Sequence, residues 1–222
     1  MIDALFEQVK TQIETARSQA AGSAERVNLV AVSKQQPDAK ITAALGTGHR
    51  LFGENRVQEA TERWAHRRAD YPDLRLHLIG PLQSNKAAAA VTLFDVIESV
   101  DRPKIAQALA KEMTAQQKSV PCFIQINTGD EPQKSGISPK EAVEFASYCE
   151  TDLSLKILGF MCIPPQSEEP AMHFALLKKL GQKAGLPHLS MGMSADFEEA
   201  IAFGADYVRV GSAIFGARLP RH

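Results

Sequence analysis

The sequence lacks an excess of charge of either sign. Its 222 residues contain 25 lysines and arginines against 26 aspartates and glutamates, which gives a formal net charge of −1. Such an even balance creates no general attraction to nucleic acid or to anionic lipid, so we expect neither as a partner. An anionic ligand would have to be bound by a local arrangement of donors.

Cysteines and long apolar runs are also scarce. The three cysteines are odd in number and widely spaced, which argues against a disulfide framework or a zinc site and predicts buried thiols in a reducing compartment. No stretch approaches the ~20 apolar residues of a membrane span. The amino terminus has acidic residues where a secretory signal needs basic ones. These absences predict a cytoplasmic protein with no metal site and no membrane partner.

The composition that remains is that of an ordinary folded protein. Hydrophobic residues make up 44% and charged residues 23%, and no linker-like segment divides the chain, so we predict a single domain over residues 1–222. Residues 1 to about 20 have the apolar spacing of a helix. Eight short apolar runs follow, separated by helical patterns or by segments long enough for a helix: 28–33, 50–53, 74–79, 95–100, 122–127, 157–163, 188–191 and 206–210.

Eight strand–helix units after a first helix predict an α/β fold, a single (β/α)8 TIM barrel with an extra N-terminal helix. A doubly wound open sheet is the alternative, although it usually has fewer strands. Two helix starts follow from capping residues. Ser138, Pro139 and Glu141 have the pattern of a capping box with proline in the first turn, and Ser194 is predicted to open the helix after the seventh strand.

Functional residues of such a barrel lie at the carboxyl ends of the strands, and Lys34 is the first candidate. It follows an apolar strand and shares its parity with Val30 and Val32, which predicts that its side chain points into the barrel mouth. A lysine partly removed from water is a usable amine nucleophile toward a carbonyl. The alternative is a strand-end lysine that extends to solvent. Judged from its position alone, Lys34 fits this alternative better.

A second candidate follows the last strand. Gly211 and Ser212 place a small residue and a hydroxyl where a short helix begins, an arrangement that can bind an anion through backbone amides. Barrels often bind phosphate at the loops after strands seven and eight, which adds Ser194 to the set. Without Gly211 and Ser212, an ordinary helix cap would be the preferred interpretation of Ser194.

Arg209 lies inside the last strand and is predicted to face the interior, with Tyr207 one layer deeper. A buried arginine needs an acceptor, because its charge is costly to leave unpaired. One interpretation is an internal ion pair with a residue such as Glu98 or Asp206. The other is a donor to a ring nitrogen of a ligand.

Two further side chains are weaker candidates. The same parity argument predicts that His77 faces inward. A core histidine is the preferred interpretation, and a ring-stacking contact is the second. Asn55 follows the second strand and can bind the polar edge of a ligand, or simply stabilise a turn. Lys134, in the loop after the fifth strand, either reaches the barrel mouth or is only exposed, and exposure is favoured. A solvated helix face is predicted for one charged cluster: Glu62, Arg63, His66, Arg67 and Arg68.

Several of these positions lie in longer motifs, which occur in order along nearly the whole chain: VAVSK at 30–34, FGEN at 52–55, HLIGPLQSNK at 77–86, SMGMS at 190–194 and VRVGSAIFG at 208–216. Together they resemble the YggS/PROSC family of pyridoxal phosphate homeostasis proteins. Departures are Gln35-Gln36, where a Thr-Lys pair is more usual, and Arg56, where tyrosine is frequent. Ser212 replaces a common threonine and keeps the hydroxyl.

The resemblance implies a barrel like the amino-terminal domain of alanine racemases, with pyridoxal 5'-phosphate held as a Schiff base on Lys34. It implies that the phosphate is bound at Ser194, Gly211 and Ser212, and that the pyridine nitrogen faces Arg209. It also implies a role in intracellular storage, buffering or delivery of the cofactor, with apoenzymes that depend on pyridoxal phosphate as possible partners.

A racemase-like enzyme is the alternative to a carrier. Arginine cannot protonate the ring nitrogen, which weakens the enzyme hypothesis, although alanine racemases also have an arginine there. Racemases of this type take a tyrosine from the carboxy-terminal domain of a partner subunit, and this chain ends at His222 without such a domain. Tyr71, Tyr148 and Tyr207 are predicted in a bottom loop, on an outer helix and deep in the barrel. We therefore expect a non-catalytic, monomeric binding protein.

Overall fold

Eight parallel strands close into a barrel in the computed structural model, which describes residues 2–21, 24–131 and 133–216. Each strand pairs with the next along the chain, and β1 pairs with β8. The strand bounds are β1 Asn28–Val32, β2 Leu51–Glu54, β3 Arg75–Leu78, β4 Val96–Val100, β5 Cys122–Ile126, β6 Ile157–Cys162, β7 His188–Met193 and β8 Tyr207–Val210. The predicted barrel is confirmed, whereas the predicted domain range of 1–222 extends beyond the described residues at both ends.

Helices occupy the connections between the strands. Their bounds are α1 Ile2–Gln19, α2 Asp38–Gly46, α3 Val57–Trp64, α4 Ala87–Leu93, α5 Pro103–Ala115, α6 Ala142–Thr151, α7 Pro170–Ala184, α8 Phe197–Ala202 and α9 Ser212–Phe215. Short 3-10 turns follow α3 at His66–Arg68 and precede α4 at Ser84–Lys86. The apolar outer face of each strand is thereby covered, as a fully parallel sheet requires.

The extra helix α1 precedes the first strand and packs against helices from the C-terminal part of the barrel. Its buried face consists of Phe6, Val9 and Ile13, which recur at helical spacing. It packs against α8 and α9, and the ring of Phe6 lies 6.4 Å from that of Phe215. The predicted amino-terminal helix is therefore part of the folded unit and supports the loop after β8.

The helix before β6 begins later than its capping signal predicts. Helix α6 starts at Ala142, and Glu141 donates its backbone N–H to the carbonyl of Ser138 in a turn ahead of the helix. Ile137 forms a parallel bridge with Ile126 at the end of β5. Because that bridge holds the preceding segment extended along the strand, the capping box at Ser138 is wrong and the helix starts after the turn.

The barrel interior differs from the layer between barrel and helices. The outer layer is apolar and includes large buried side chains such as Trp64, Phe52 and Phe174. All three cysteines are buried and form no disulfide, as predicted. Polar side chains from β3, β4, β7 and β8 fill part of the interior instead: His77, Glu98, Ser190 and Arg209. No helix within the described ranges is long and apolar enough to cross a membrane.

Candidate ligand site at the barrel mouth

A cavity of about 580 Å³ opens at the carboxyl ends of the strands. Functional sites of such barrels lie at this end, and the volume is in the range of small-molecule sites. Six of the seven predicted binding residues line the cavity: Lys34, Asn55, Ser194, Arg209, Gly211 and Ser212. The barrel therefore brings together side chains from the loops after β1, β2, β7 and β8.

Lys34 lies in a tight turn that follows β1 directly. The Ser33 amide donates to the carbonyl of Gly53 at 3.1 Å, which extends the β1–β2 pairing to the start of the turn. The amide of Gln36 then donates to the carbonyl of Ser33, also at 3.1 Å, and closes it. Val32 lines the cavity on the same side, as the strand parity predicts. The half-buried Lys34 side chain is thus presented at the mouth from a fixed strand end.

The loops after β7 and β8 are joined by a hydrogen bond. The backbone N–H of Gly211 donates to Ser194 Oγ at 3.1 Å. Ser194 does not cap α8, because that helix begins at Phe197 and Asp196 accepts a bond from the amide of Met193 at 2.5 Å. The prediction that Ser194 opens the helix is therefore wrong in detail. Its predicted proximity to Gly211 and Ser212 is correct, and the three residues line the cavity together.

Arg209 is buried at the floor of the cavity and is bound on three sides. Its Nη1 donates to Ser190 Oγ at 2.6 Å and lies 3.8 Å from Glu98 Oε2, while Nη2 donates to the carbonyl of Cys162 at 2.7 Å. The internal ion pair with Glu98 is thus formed. Because Arg209 also lines the cavity, the ion pair and a ligand contact are compatible.

Glu98 connects this arginine to His77 across the interior. Its Oε1 accepts from His77 Nδ1 at 2.6 Å, and its Oε2 accepts from Ser190 Oγ at 2.6 Å. Burial acts to raise the pKa of Glu98, but the hydrogen bond from His77 and the charges of His77 and Arg209 outweigh it and hold the pKa below its ordinary value. Glu98 is therefore an anion that fixes the floor of the site.

His77 lies below the cavity and is not among its lining residues. The residue is 3% exposed, and its ring bonds Glu98 and lies 5.6 Å from the ring of Tyr207. These contacts match the core histidine that was the first interpretation of this residue. Tyr207 lies one layer deeper than Arg209, as predicted, and burial raises its pKa.

Asn55 reaches the cavity because two loops touch at their backbones. A Cβ atom on Gly80 would lie 2.4 Å from the carbonyl oxygen of Asn55, so the loop after β3 can approach the loop after β2 only with glycine at this position. Asn55, Gly80 and Pro81 then form one wall of the cavity.

Lys134 was expected to be exposed, but it lines the cavity from the opposite side. Its Nζ forms an ion pair with Glu131 at 2.5 Å, and its side chain is 35% exposed. The loop is held to the barrel by Gln125 Nε2, which donates to the carbonyl of Ser135 at 3.2 Å. The position of this loop after β5 was the signal that pointed to the mouth.

Two arginines of the charged cluster at 62–68 are also more buried than expected. Arg63 is 13% exposed and donates to the fully buried Glu54 at 2.8 Å. Arg67 is 9% exposed and pairs with Asp38 at 2.6 Å. The predicted solvated face is wrong for these two arginines, because carboxylates from β2 and α2, outside the cluster, lie within their reach.

The ionisable residues of the cavity lining are all cationic in the part of the chain that the structure describes: Lys34, Lys134 and Arg209. The remaining polar lining consists of amides and hydroxyls. No cluster of histidine, cysteine, aspartate and glutamate suited to a metal occurs within the described ranges. Such a lining suits a small anion that also carries a group reactive toward an amine.

Comparison with known proteins identifies the family. Residues 6–219 match the family described as alanine racemase, N-terminal domain. The protein of Escherichia coli (strain K12) named pyridoxal phosphate homeostasis protein is 39% identical over 220 residues, spanning 95% of this chain and 94% of that protein. The chain belongs to the alanine racemase N-terminal domain family, and within it to the pyridoxal phosphate homeostasis proteins. The resemblance inferred from the motifs is thereby confirmed.

A second curated relative and two solved structures extend the comparison. The Pseudomonas aeruginosa protein of the same name is 41% identical over 215 residues, covering 95% of this chain and 93% of that protein. Among solved structures, PipY of Synechococcus elongatus, described with pyridoxal phosphate bound, is 36% identical with a TM-score of 0.80, covering 97% of this chain and 100% of that one. Alanine racemase from Corynebacterium glutamicum shares the fold, with 19% identity and a TM-score of 0.68 over 99% of this chain and 62% of that one.

The ion pair beneath the cavity leads to a stability prediction. Replacing Glu98 by Gln leaves Arg209 buried without its carboxylate, which we expect to lower the free energy of unfolding by about 3–5 kcal/mol at pH 7. The pKa of Glu98 is lowered from an ordinary value of 4.5, so its stabilising contribution is present above that pH and is lost as the pH falls below it. The difference between wild type and Glu98→Gln should therefore shrink in acid.

Urea unfolding at pH 7 and at a series of lower pH values measures this difference. Glu150→Gln, at an exposed position on α6, is the matched control and should change stability little at any pH. Equal stability of wild type and Glu98→Gln at pH 7, or a difference that does not vary with pH, would contradict the assignment of Glu98 as a buried anion.

Proposed function

We propose that this chain binds pyridoxal 5'-phosphate through an imine link to Lys34 and serves in its intracellular storage, buffering or delivery. The observation that carries the proposal is the meeting of an amine and an anion-binding group in one cavity. Lys34 lies at the end of β1, and Ser194, Gly211 and Ser212 lie at the ends of β7 and β8. The relatives' name and the ligand of PipY support the same conclusion.

The residues present fit the chemical groups of this cofactor. Its phosphate is matched by the hydroxyls of Ser194 and Ser212 and by the backbone amides beside Gly211. Its pyridine nitrogen is matched by Arg209, whose guanidinium is buried at the cavity floor. Bound there, the cofactor supplies an aldehyde that condenses reversibly with a primary amine. Asn55 is proposed for the polar edge of the ring, and His77 acts on the site only through Glu98.

The position of the phosphate donors favours Lys34 over Lys134 as the anchor. Strand β1 pairs with β8, and a Cβ atom on Gly211 would lie 3.4 Å from Val32. Lys34 therefore stands beside the phosphate donors on a neighbouring strand end. Lys134 follows β5, on the far side of an eight-stranded barrel from these donors.

The lining of the cavity favours a carrier over an enzyme. A racemase needs acid–base groups on both faces of the substrate carbon. Tyr71, Tyr148 and Tyr207 do not line the cavity, and no carboxylate, histidine or cysteine of the described residues lines it either. Arg209 stays charged and opposes protonation of the ring nitrogen, which weakens the cofactor as an electron sink. We accordingly propose a non-catalytic role, with a racemase-like activity as the alternative.

The partners follow from the same proposal. The open mouth carries exposed apolar side chains, Ile163 and Met193, beside the cavity. The described residues do not cover this mouth, and an open mouth suits transfer of the ligand to apoenzymes that depend on pyridoxal phosphate. A monomer in the cytoplasm, with no nucleic acid or membrane partner, remains our prediction for the assembly.

Lys34→Arg tests the anchor while keeping the positive charge. Wild-type protein with pyridoxal phosphate should be yellow and show the absorption band of an imine, and Lys34→Arg should lack that band because guanidinium does not condense with the aldehyde. The matched control is Lys134→Arg, which replaces the other cavity lysine and should retain the band. Retention in Lys34→Arg, or loss only in Lys134→Arg, would show that the anchor is misassigned.

Turnover of amino acids separates a carrier from an enzyme. Protein loaded with pyridoxal phosphate is incubated with single enantiomers of alanine and other amino acids, and racemisation and transamination are followed by chiral chromatography. We expect rates no higher than those of free cofactor at the same concentration, because no tyrosine, histidine or carboxylate of the described residues lines the cavity and the second lining amine, Lys134, is paired with Glu131. Rates well above free cofactor would support the racemase-like alternative instead.

A further inference from the structure

Three charged residues outside the barrel interior hold the loop that carries Lys34. Glu54 ends β2, and Glu59 and Arg63 lie one turn apart on α3. We name these three residues the Lys34 clamp. They do not line the cavity, and the function proposed above makes no use of them.

The clamp bonds the backbone on both sides of Lys34. The N–H of Gln35 donates to Glu59 Oε1 at 2.7 Å. Arg63 Nη1 donates to the carbonyl of Ser33 at 3.3 Å, and its Nη2 donates to the carbonyl of Gln36 at 3.1 Å. Two charged side chains thus fix three peptide groups of a four-residue loop, and hydrogen bonds to charged groups are among the stronger ones in proteins.

Glu54 anchors the clamp to the barrel. Its side chain is fully buried, and Oε1 accepts from Ser33 Oγ at 2.7 Å, Arg63 Nη1 at 2.8 Å and Trp64 Nε1 at 2.9 Å. Arg63 Nη1 also donates to Glu59 at 3.1 Å, so the arginine is shared between two carboxylates. The planar guanidinium can reach both acids and both loop carbonyls at once, which a lysine ammonium cannot do.

The loop needs such support because it contains a strained residue. Gln35 has a φ of 60°, in the left-handed region that residues other than glycine rarely adopt. Strain of this kind persists only where surrounding contacts enforce it, and it concentrates at functional sites. Here the enforcing contact is the carboxylate of Glu59, which accepts the N–H of the strained residue itself.

We propose that Glu54, Glu59 and Arg63 are positioning residues for Lys34. By fixing the backbone of residues 33–36, they keep the Lys34 amine beside the aldehyde of the bound cofactor and so set how firmly the cofactor is retained. An imine link is reversible, so its stability depends on how closely the two reacting groups are held. This inference rests on the proposed function, because it acts through Lys34.

Two ligands separate positioning from general loss of structure. Pyridoxal phosphate binds through Lys34 and the phosphate donors, whereas 4'-deoxypyridoxine 5'-phosphate has a methyl group in place of the aldehyde and binds without the imine link. Glu59→Ala and Arg63→Lys each remove clamp contacts at positions that are not fully buried. We expect each variant to bind pyridoxal phosphate about tenfold more weakly and the deoxy ligand within about twofold of wild type.

Matched controls lie on the same segment. Glu62→Ala replaces an exposed glutamate one turn along α3, and Arg68→Lys replaces an arginine that pairs with Asp95 and does not reach the Lys34 loop. Both should bind the two ligands as wild type does. Dissociation constants come from titration of the imine band for pyridoxal phosphate and from calorimetry for the deoxy ligand.

The outcomes distinguish the two levels of the hypothesis. Selective weakening of pyridoxal phosphate in the clamp variants supports positioning of Lys34. Equal weakening of both ligands, or of neither, overturns the positioning role and leaves the anchor intact. An imine band that persists in Lys34→Arg, measured in the same titration, overturns the proposed function itself.

Discussion

The pairing of β1 with β8 closes the barrel, and the candidate site depends on it. The register of this pair sets Val30 opposite Arg209 and Ala31 opposite Val210. Residues from the two ends of the sequence therefore finish their strands side by side, with Lys34 on one and Gly211 and Ser212 on the other. A parallel barrel places all strand ends on one face, so this single contact turns two distant segments into one amine-and-anion site.

Buried charge fixes the site from two directions. Below the cavity, Glu98 holds Arg209 in place through an ion pair and a shared contact with Ser190. Outside the barrel, Glu54 and Arg63 hold the loop that carries Lys34. Burial raises the pKa of Glu54, although the charge of Arg63 and the hydrogen bonds from Trp64, Ser33 and Arg63 oppose that effect. Burying the charges of each network costs desolvation energy. We therefore expect these networks to serve the geometry of the site more than the net stability of the fold.

Sequence reasoning located the parts of the site that depend on strand order and parity. Alternation along β1 and β8 predicts the inward positions of Lys34 and Arg209, and the barrel rule predicts which loops meet. It failed where a partner comes from a distant element. Arg63 was assigned to a solvated helix face, whereas it pairs with the buried Glu54 at the end of β2 as well as with Glu59 on its own helix. Ser194 was assigned to a helix start because a cap is a local signal, whereas its bond to Gly211 requires the folded barrel.

The most direct measurement is to locate the residue that carries the cofactor. Borohydride reduces an imine to a stable secondary amine, so wild-type protein loaded with pyridoxal phosphate can be reduced, digested and mapped by mass spectrometry. We predict a single modified site at Lys34, in the peptide that joins β1 to α2. Modification at Lys134 instead, or no modification of the folded protein, would contradict the assignment of Lys34 as the tether.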